Sequence, residues 1–442
     1  MGIMPWKQVG NAFPAGSANN DNADRASFKY EVPNLGKAIR AIRTQAYFTQ
    51  VIHFMSDDQR TSARNGTWTM ASEASTRAIG GHVEADLRGG LTIGAEGFYR
   101  NWNVVGYMRM MGTVGPGNHS VPNVDTNAVG AFAAYQHPFS DRLRWSGGLR
   151  WDYSSTATSA ANVNTNPYFN YHGTRATSSN DNYFSGNARL SYTLPLAIEL
   201  FAGVGSNGRV PDAEERYINR ASMTTVNVGN PALPTVRNTE GTVGLIFRRR
   251  SSYVKPTFFY SNLNNYVLVN NQPLMNTMAM SPASARSYTN VDARIYGGEL
   301  SYALNLRSGL SLTGGGSYAK GGNNRNSSAG VLDSNLPEMP PLRTWAILHY
   351  VHKYLFAEFG GSAVARQNRV DRDLKETPTA GYGLMNLKLG LTHGKLVASF
   401  MVENLLNRYY FEHLSYYRDP FSSGVKIPEP GRNFFGQVRY NF

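Results

Sequence analysis

The sequence lacks cysteine and long apolar stretches, and both absences narrow the class of protein. None of the 442 residues is cysteine, which excludes a disulfide framework and is compatible with an oxidising envelope compartment. No apolar run approaches the roughly 18 residues that a transmembrane helix needs. The apolar content of 41% is also low for a helical membrane protein. A membrane protein made of strands remains allowed, because half of each strand can be polar.

Acidic residues are scarce relative to basic ones. The chain has 43 Lys and Arg against 30 Asp and Glu, a net charge of +13. This charge suits a surface that meets anionic lipid head groups, with attraction of an anionic ligand as the alternative. The sequence contains no basic stretch with interleaved aromatic residues, so it does not predict nucleic-acid binding. Without an H-E-x-x-H motif or a nucleophile elbow, the sequence predicts no enzyme, no catalytic residue and no cofactor.

Strict alternation of apolar and polar residues is the strongest positive signal. At the C-terminus one face carries Phe434, Gly436, Val438, Tyr440 and Phe442, and the other face is mostly polar. Residues 143–153 repeat the pattern, with leucine and tryptophan on one face and arginine and aspartate on the other. The charged residues exclude an apolar core against one face of these strands. The large apolar side chains on the other face argue against exposure of that face to water. The pattern predicts strands with lipid outside and a polar lumen inside.

The spacing of these strands predicts the architecture. About seventeen strand-like segments are joined alternately by short turns and long loops, as in a membrane meander. The long loops are predicted near 57–66, 107–124, 158–181, 207–238, 270–286, 321–341, 368–379 and 405–431. The short turns are predicted near 86–90, 137–141, 193–197, 249–252, 305–309, 352–354 and 392–395. We therefore expect an all-β fold over 1–442, a transmembrane antiparallel up-and-down β-barrel.

An ordered set of motifs resembles the C-terminal barrel of TonB-dependent outer-membrane receptors. The set comprises R-V-P-D-A-E-E-R-Y at 209–217, N-P-A-L-P at 230–234, N-V-D-A-R-I-Y-G-G-E-L at 290–300, L-P-E-M-P-P-L-R at 336–343, V-E-N-L-L-N-R-Y-Y at 402–410 and P-G-R-N-F-F at 430–435. The family barrel has twenty-two strands and an N-terminal plug with a TonB box. The resemblance implies that this chain is an incomplete barrel of about 16–17 strands, truncated at its N-terminus and without the plug.

Within that family the sequence is similar to the copper-receptor subgroup. The similarity lies in M-A-S-E-A-S-T-R at 70–77, R-N-W-N-V-V-G-Y-M-R-M-M-G at 100–112 and V-P-N-V-D-T at 121–126. Two predicted loops carry clustered soft donors, which suit copper better than hard cations. The candidate metal or ligand residues are Met108, Met110, Met111 and His119 in one loop, and Met275, Met278 and Met280 in the other. The alternative is that these methionines fill gaps in loop packing.

The resemblance also implies a function and a set of partners. We expect the barrel part of an active transporter in the outer membrane of a Gram-negative bacterium, taking up copper or a copper chelate. A ferric-siderophore receptor is the alternative, and a passive porin-like channel a further one. The expected partners are the TonB complex through the missing plug, outer-membrane lipid and lipopolysaccharide, and the barrel-assembly machinery, for which Tyr440 and Phe442 form the membrane-insertion signal.

Overall fold

The structure is a computed structural model that describes residues 17–58, 68–110, 112–221, 226–324, 330–419 and 421–440. Strands make up most of it, with two short α-helices and one 3-10 turn at Pro195–Ala197. In chain order the elements are β1 (Ser17–Pro33), β2 (Ile39–Ser56), β3 (Met70–Leu87), β4 (Leu91–Met110), β5 (Thr113–Val114), β6 (Asn118–Pro138), β7 (Leu143–Thr158), α1 (Asn166–His172), β8 (Ser178–Leu194), β9 (Ile198–Arg209), α2 (Ala213–Tyr217), β10 (Asn219–Ala221), β11 (Val226–Val228), β12 (Val236–Arg249), β13 (Ser252–Pro273), β14 (Ser284–Arg307), β15 (Leu310–Asn324), β16 (Arg343–His352), β17 (Leu355–Val364), β18 (Tyr382–His393), β19 (Leu396–Glu403), β20 (Tyr416–Asp419), β21 (Ser422–Lys426) and β22 (Asn433–Tyr440).

Seventeen of these strands form one antiparallel meander. Each long strand pairs with the next along the chain, from the β1–β2 pair to the β19–β22 pair. The remaining short strands lie within the long connections. The connections between long strands alternate as the sequence predicts, with tight turns such as 88–90 and 394–395 on one rim and long connections such as 210–235 on the other. The predicted all-β meander is confirmed.

The two faces of the meander have opposite chemistry. Leu149 on β7 is 73% exposed and shares the outward face with the exposed Phe184 of β8 and Val204 of β9. The next residue along β7, Arg150, points to the opposite face and bonds Asp152 and Glu96 of β4. Because side chains alternate along a strand, an apolar exterior and a charged interior follow directly from the sequence pattern.

The C-terminal strand keeps the predicted alternation. In β22, Phe434, Val438 and Tyr440 are all exposed, and they lie opposite Val402, Ala398 and Leu396 of β19. Val438 is 74% exposed, which places this row on the same outward face as Phe400. Phe442, the other half of the predicted insertion signal, lies outside the described residues.

Several predicted loops contain regular structure. Strand β4 extends to Met110 and β6 begins at Asn118, so regular strand structure enters 107–124 from both ends. Helix α1 lies in 158–181 and α2 in 207–238, while β20 and β21 form a hairpin in 405–431. The first strand is longer than the predicted 26–32, since β1 pairs with β2 along almost its whole length. No helix in the described residues is long and apolar enough to cross a membrane.

Candidate functional site

The long connections fold over the meander and share a core of their own. Val124 of β6, Tyr168 of α1, Tyr217 of α2 and Val228 of β11 are fully or almost fully buried together. The Tyr168 hydroxyl donates to the Tyr217 backbone carbonyl at 2.6 Å. The pieces come from strand β6 and from two connections, β7–β8 and β9–β12, so their burial ties these parts into one body. We call this body the loop cap.

A buried ion pair fixes the centre of the loop cap. Arg216 of α2 is 1% exposed and forms two hydrogen bonds to the Asp181 carboxylate, at 2.7 and 2.8 Å. The guanidinium also donates to the Leu233 carbonyl, and Thr235 donates to Asp181. A buried charge is tolerated when its donors and acceptors are matched in this way. The pair therefore locks α2 onto the first residues of β8.

The first turn of α2 anchors the loop cap to the meander wall. Glu215 accepts a hydrogen bond from the backbone N–H of Asp212, which closes the start of the helix. The Asp212 carboxylate then pairs with Arg100 of β4 at 2.8 Å. Asn230 of the N-P-A-L-P motif donates to the Tyr288 carbonyl on β14. The motif residues therefore have structural roles, holding one connection to strands on both sides.

Beside this anchor lies a cavity of about 470 Å³ with a mixed polar and apolar lining. Its lining combines Glu96, Arg100, Arg150, Tyr183 and Asp212 from the inner wall and the loop cap. Both arginines are paired with carboxylates across the cavity. The cavity therefore offers charged groups of both signs beside apolar side chains such as Phe98 and Val129.

An acidic segment in the connection between β17 and β18 is unusually buried. Asp371 and Asp373 are 2% and 1% exposed, and Glu376 is 7% exposed. Glu376 accepts from the backbone N–H groups of Asp371 and Glu338, and Asp373 accepts from that of Leu332. Among the described residues, Oδ2 of Asp371 has no hydrogen-bond partner. These contacts fasten 371–376 to 332–338, but they leave Oδ2 of Asp371 and Oδ1 of Asp373 without hydrogen-bond partners in the described part of the chain.

We expect this segment to pack more firmly in acid than at neutral pH. Burial is the main reason why the pKa of Asp371 rises to about 7, and the charges of Asp373 and Glu376 contribute to the rise. The packed state therefore binds the proton more tightly than the open state, and its stability falls as pH increases from about 4 through 7. Hydrogen exchange across 365–381 should accelerate over that range beyond its intrinsic pH dependence. Asp371→Asn should remove most of the effect, and an equal pH response in both proteins would contradict the assignment.

The predicted methionines occupy two separate places. Met275, Met278 and Met280 lie in the connection between β13 and β14, with exposures of 59%, 90% and 105%. The backbone of Met275 donates to the Asn170 carbonyl of α1, so this segment sits on the loop cap. Such exposure does not fit a gap-filling role for Met278 and Met280. Their role as copper ligands remains a prediction.

The other predicted cluster divides between the two faces of a hairpin. Met108 of β4 lies directly opposite Met70 of β3. His119 of β6 lies opposite Val105, and its Nδ1 is 3.0 Å from the Asn103 oxygen. Positions 105 and 108 of one strand point to opposite faces, so Met108 and His119 are not brought together. Met110 ends β4, and Met111 lies outside the described residues.

The pairing of β2, β3 and β4 instead places a different set of soft donors together on the inner face. Met55 and His53 of β2 lie opposite Ser72 and Ala74 of β3, on the face that carries Met70 and Met108. Directly opposed side chains are about 5 Å apart and diagonal ones about 7–8 Å. His53 Nδ1 is 3.6 Å from a carboxylate oxygen of Asp21 on β1. We call His53, Met55, Met70 and Met108 the soft-donor row.

The sequence alone predicts that His53 and Met55 lie on the same face of a strand. Both fall in a segment that is predicted to be a strand, where residues two apart share a face. Met70 begins the next predicted strand, but nothing local pairs it with Met108. Only the strand register brings the four residues to one end of three adjacent strands, at the long-connection rim.

Comparison with known proteins is consistent with this architecture. Residues 5–405 match the family described as "TonB dependent receptor-like, beta-barrel". The chain therefore belongs to the β-barrel family of TonB-dependent receptors. No curated protein sequence matches the chain at a significant level.

Solved structures with the same fold have low sequence identity. "Copper transporter OprC" has a TM-score of 0.79 at 23% identity, over 97% of this chain and 68% of that one. The ferric yersiniabactin uptake receptor FyuA from Yersinia pestis has a TM-score of 0.67 at 14% identity, over 95% and 61%. The FrpB iron transporter from Neisseria meningitidis has a TM-score of 0.67 at 15% identity, over 96% and 63%. The chain thus spans roughly two thirds or less of each of these structures.

Proposed function

We propose that this chain is the barrel of a TonB-dependent transporter that takes up copper, free or chelated, across the outer membrane of a Gram-negative bacterium. The soft-donor row is the observation that carries the proposal. Three thioether sulfurs and an imidazole on one surface favour Cu(I) or Cu(II) over hard cations. The fold similarity to a structure titled as a copper transporter supports the same choice.

The position of the soft-donor row suits uptake. It lies on the inner face, at the rim from which the long connections rise. Met70 and Met108 are 44% and 54% exposed, so their sulfurs are accessible to an incoming ion. The exposed Met275, Met278 and Met280 lie farther out on the loop cap, where they would capture copper and raise its local concentration. In this proposal TonB acts through a plug region that fills the lumen, and the barrel supplies the entry surface.

Copper binding by the isolated protein tests the proposal directly. Met55, Met70 and Met108 should be changed together to leucine, which nearly preserves volume and apolarity. We expect the Cu(I) dissociation constant to rise at least tenfold, equivalent to about 1.4 kcal/mol. Competition with a chromogenic Cu(I) chelator measures this constant. Unchanged affinity in the triple variant would refute the assignment.

Two matched variants separate the possible explanations. Met385→Leu removes a methionine from the outward face of β18, where it is 41% exposed, and should leave copper affinity unchanged.

Replacing Met275, Met278 and Met280 should slow radiocopper uptake at limiting copper while leaving uptake at saturating copper nearly constant. The uptake assay uses cells that carry the full-length receptor. Normal copper uptake combined with failure to grow on a ferric chelate would favour the siderophore alternative.

A further inference from the structure

The tight-turn rim carries an excess of positive charge that the transport function does not use. The tight turns and the two strand residues on each side contain eleven Lys or Arg but three Asp or Glu. The cations are Lys37, Arg40, Arg88, Arg142, Arg144, Arg248, Arg249, Arg250, Arg307, Lys353 and Lys395. All of them are exposed. We call this set the cationic collar.

Hydrogen bonds between neighbouring turns make the collar continuous. Asn305, before the β14–β15 turn, donates its backbone N–H to Ser252 after the β12–β13 turn. Val351 donates to Gly309, and Thr392 donates to Tyr354, which links the next two turns in the same way. Arg248, Arg249, Arg250 and Arg307 therefore belong to adjoining turns. In the described part of the chain none of these four side chains forms an ion pair, whereas Arg144 on the other side pairs with Glu199.

Exposed apolar side chains lie among these cations. Leu306 precedes Arg307 and is 52% exposed, and Tyr354 follows Lys353 and is 60% exposed. Phe139 and Leu196 lie in two other turns and are 59% and 82% exposed. An acidic soluble protein would match the charges but leave these apolar groups in water. A lipid interface accepts both, because apolar groups enter the acyl region while cations reach the phosphates.

We propose that the cationic collar binds the head groups of anionic phospholipids in the leaflet at the tight-turn rim. The four arginines of the adjoining β12–β13 and β14–β15 turns form its strongest part. Phosphatidylglycerol has the required chemistry, because it carries one phosphate charge and its acyl chains can contact the exposed Leu306 and Tyr354. The inference rests on the membrane placement in the proposed function and is independent of the transported ligand.

Native mass spectrometry of the detergent-solubilised protein with equimolar phosphatidylglycerol and phosphatidylcholine tests the inference. We expect the wild type to retain about tenfold more phosphatidylglycerol, and higher salt to reduce the preference. The variant R248Q/R249Q/R250Q/R307Q should lose most of it. The control R366Q/K375Q/R408Q/R432Q removes four exposed cations from the long connections and should keep it. Circular dichroism and heat-modifiable gel migration confirm that both variants fold.

Each contrary outcome has a distinct meaning. Equal retention of the two lipids, or equal loss of preference in both variants, would overturn the cationic collar as a lipid site. Displacement of phosphatidylglycerol by millimolar inorganic phosphate would also overturn it, because the site would then recognise free phosphate. If neither lipid is retained, the cationic collar is not a lipid site, whereas failure of the protein to insert into lipid vesicles would overturn the membrane placement.

Discussion

Replacing Arg216 with alanine should weaken the loop cap by about 3–5 kcal/mol, because Asp181 would remain buried without its partner. Arg216 and Asp181 are 1% and 7% exposed, and Arg216 also donates to the Leu233 carbonyl. Loss of the guanidinium leaves several acceptors unsatisfied at once. Native-state hydrogen exchange over 210–236 measures the opening free energy of this region, and limited proteolysis of the long connections should accelerate in parallel.

Arg209→Ala is the matched control for this change. Arg209 also pairs with a carboxylate near α2, that of Glu215 at 2.9 Å, but its side chain is 50% exposed. An exposed pair of this kind contributes about 0–1 kcal/mol. The two variants remove the same chemical group and differ mainly in burial. Equal destabilisation by both would show that the buried pair does not lock the loop cap.

Leu149→Arg should destabilise the membrane-inserted protein by about 2–4 kcal/mol if Leu149 lies near the midplane of the bilayer. Leu149 is 73% exposed on the outward face, so an arginine there would place its charge in hydrocarbon. The measurement is reversible folding into lipid vesicles, followed by tryptophan fluorescence in a urea series. A change below about 1 kcal/mol would place Leu149 outside the hydrocarbon region.

Asn187→Arg introduces the same residue on the opposite face. Asn187 of β8 lies opposite Gly148 of β7 and is exposed towards the interior. We expect a cost below about 1 kcal/mol, because water or polar groups can solvate the added charge. Arg150 is less suitable as a control than the alternation alone indicates. Its ion pairs with Asp152 and Glu96 mean that Arg150→Leu would also leave carboxylates without a partner.

The packing of the long connections into the loop cap is largely not predictable from the sequence. The predicted loops 158–181 and 207–238 were expected to be polar connections, yet they contribute the buried Tyr168, Tyr217 and Asp181. The start of α2 had a local signal, since Asp212 and Glu215 have capping-box spacing. The partner of Arg216 had none, because Asp181 is 35 residues away. Contacts at that separation depend on how the strands arrange their ends.

The soft-donor row shows the same division between local pattern and register. Met108 and His119 are close in the sequence and are predicted to share one loop, but they occupy opposite faces of the β4–β6 hairpin. Met70 instead lies beside Met108, and Met55 lies on the neighbouring strand. Clustering along the chain is a poor guide here, because a strand separates consecutive side chains onto two surfaces.

The sequence by itself determined the strand periodicity, the alternation of turns and long connections, and the polarity of each face. These properties are local, because the alternation of side chains is built into the extended backbone and each short turn forces its two strands to pair. The tertiary structure decided which side chains of distant strands meet. Strand register sets the soft-donor row, and packing among the long connections buries Arg216 with Asp181. Both depend on contacts between residues far apart in the chain, which local residue patterns do not specify.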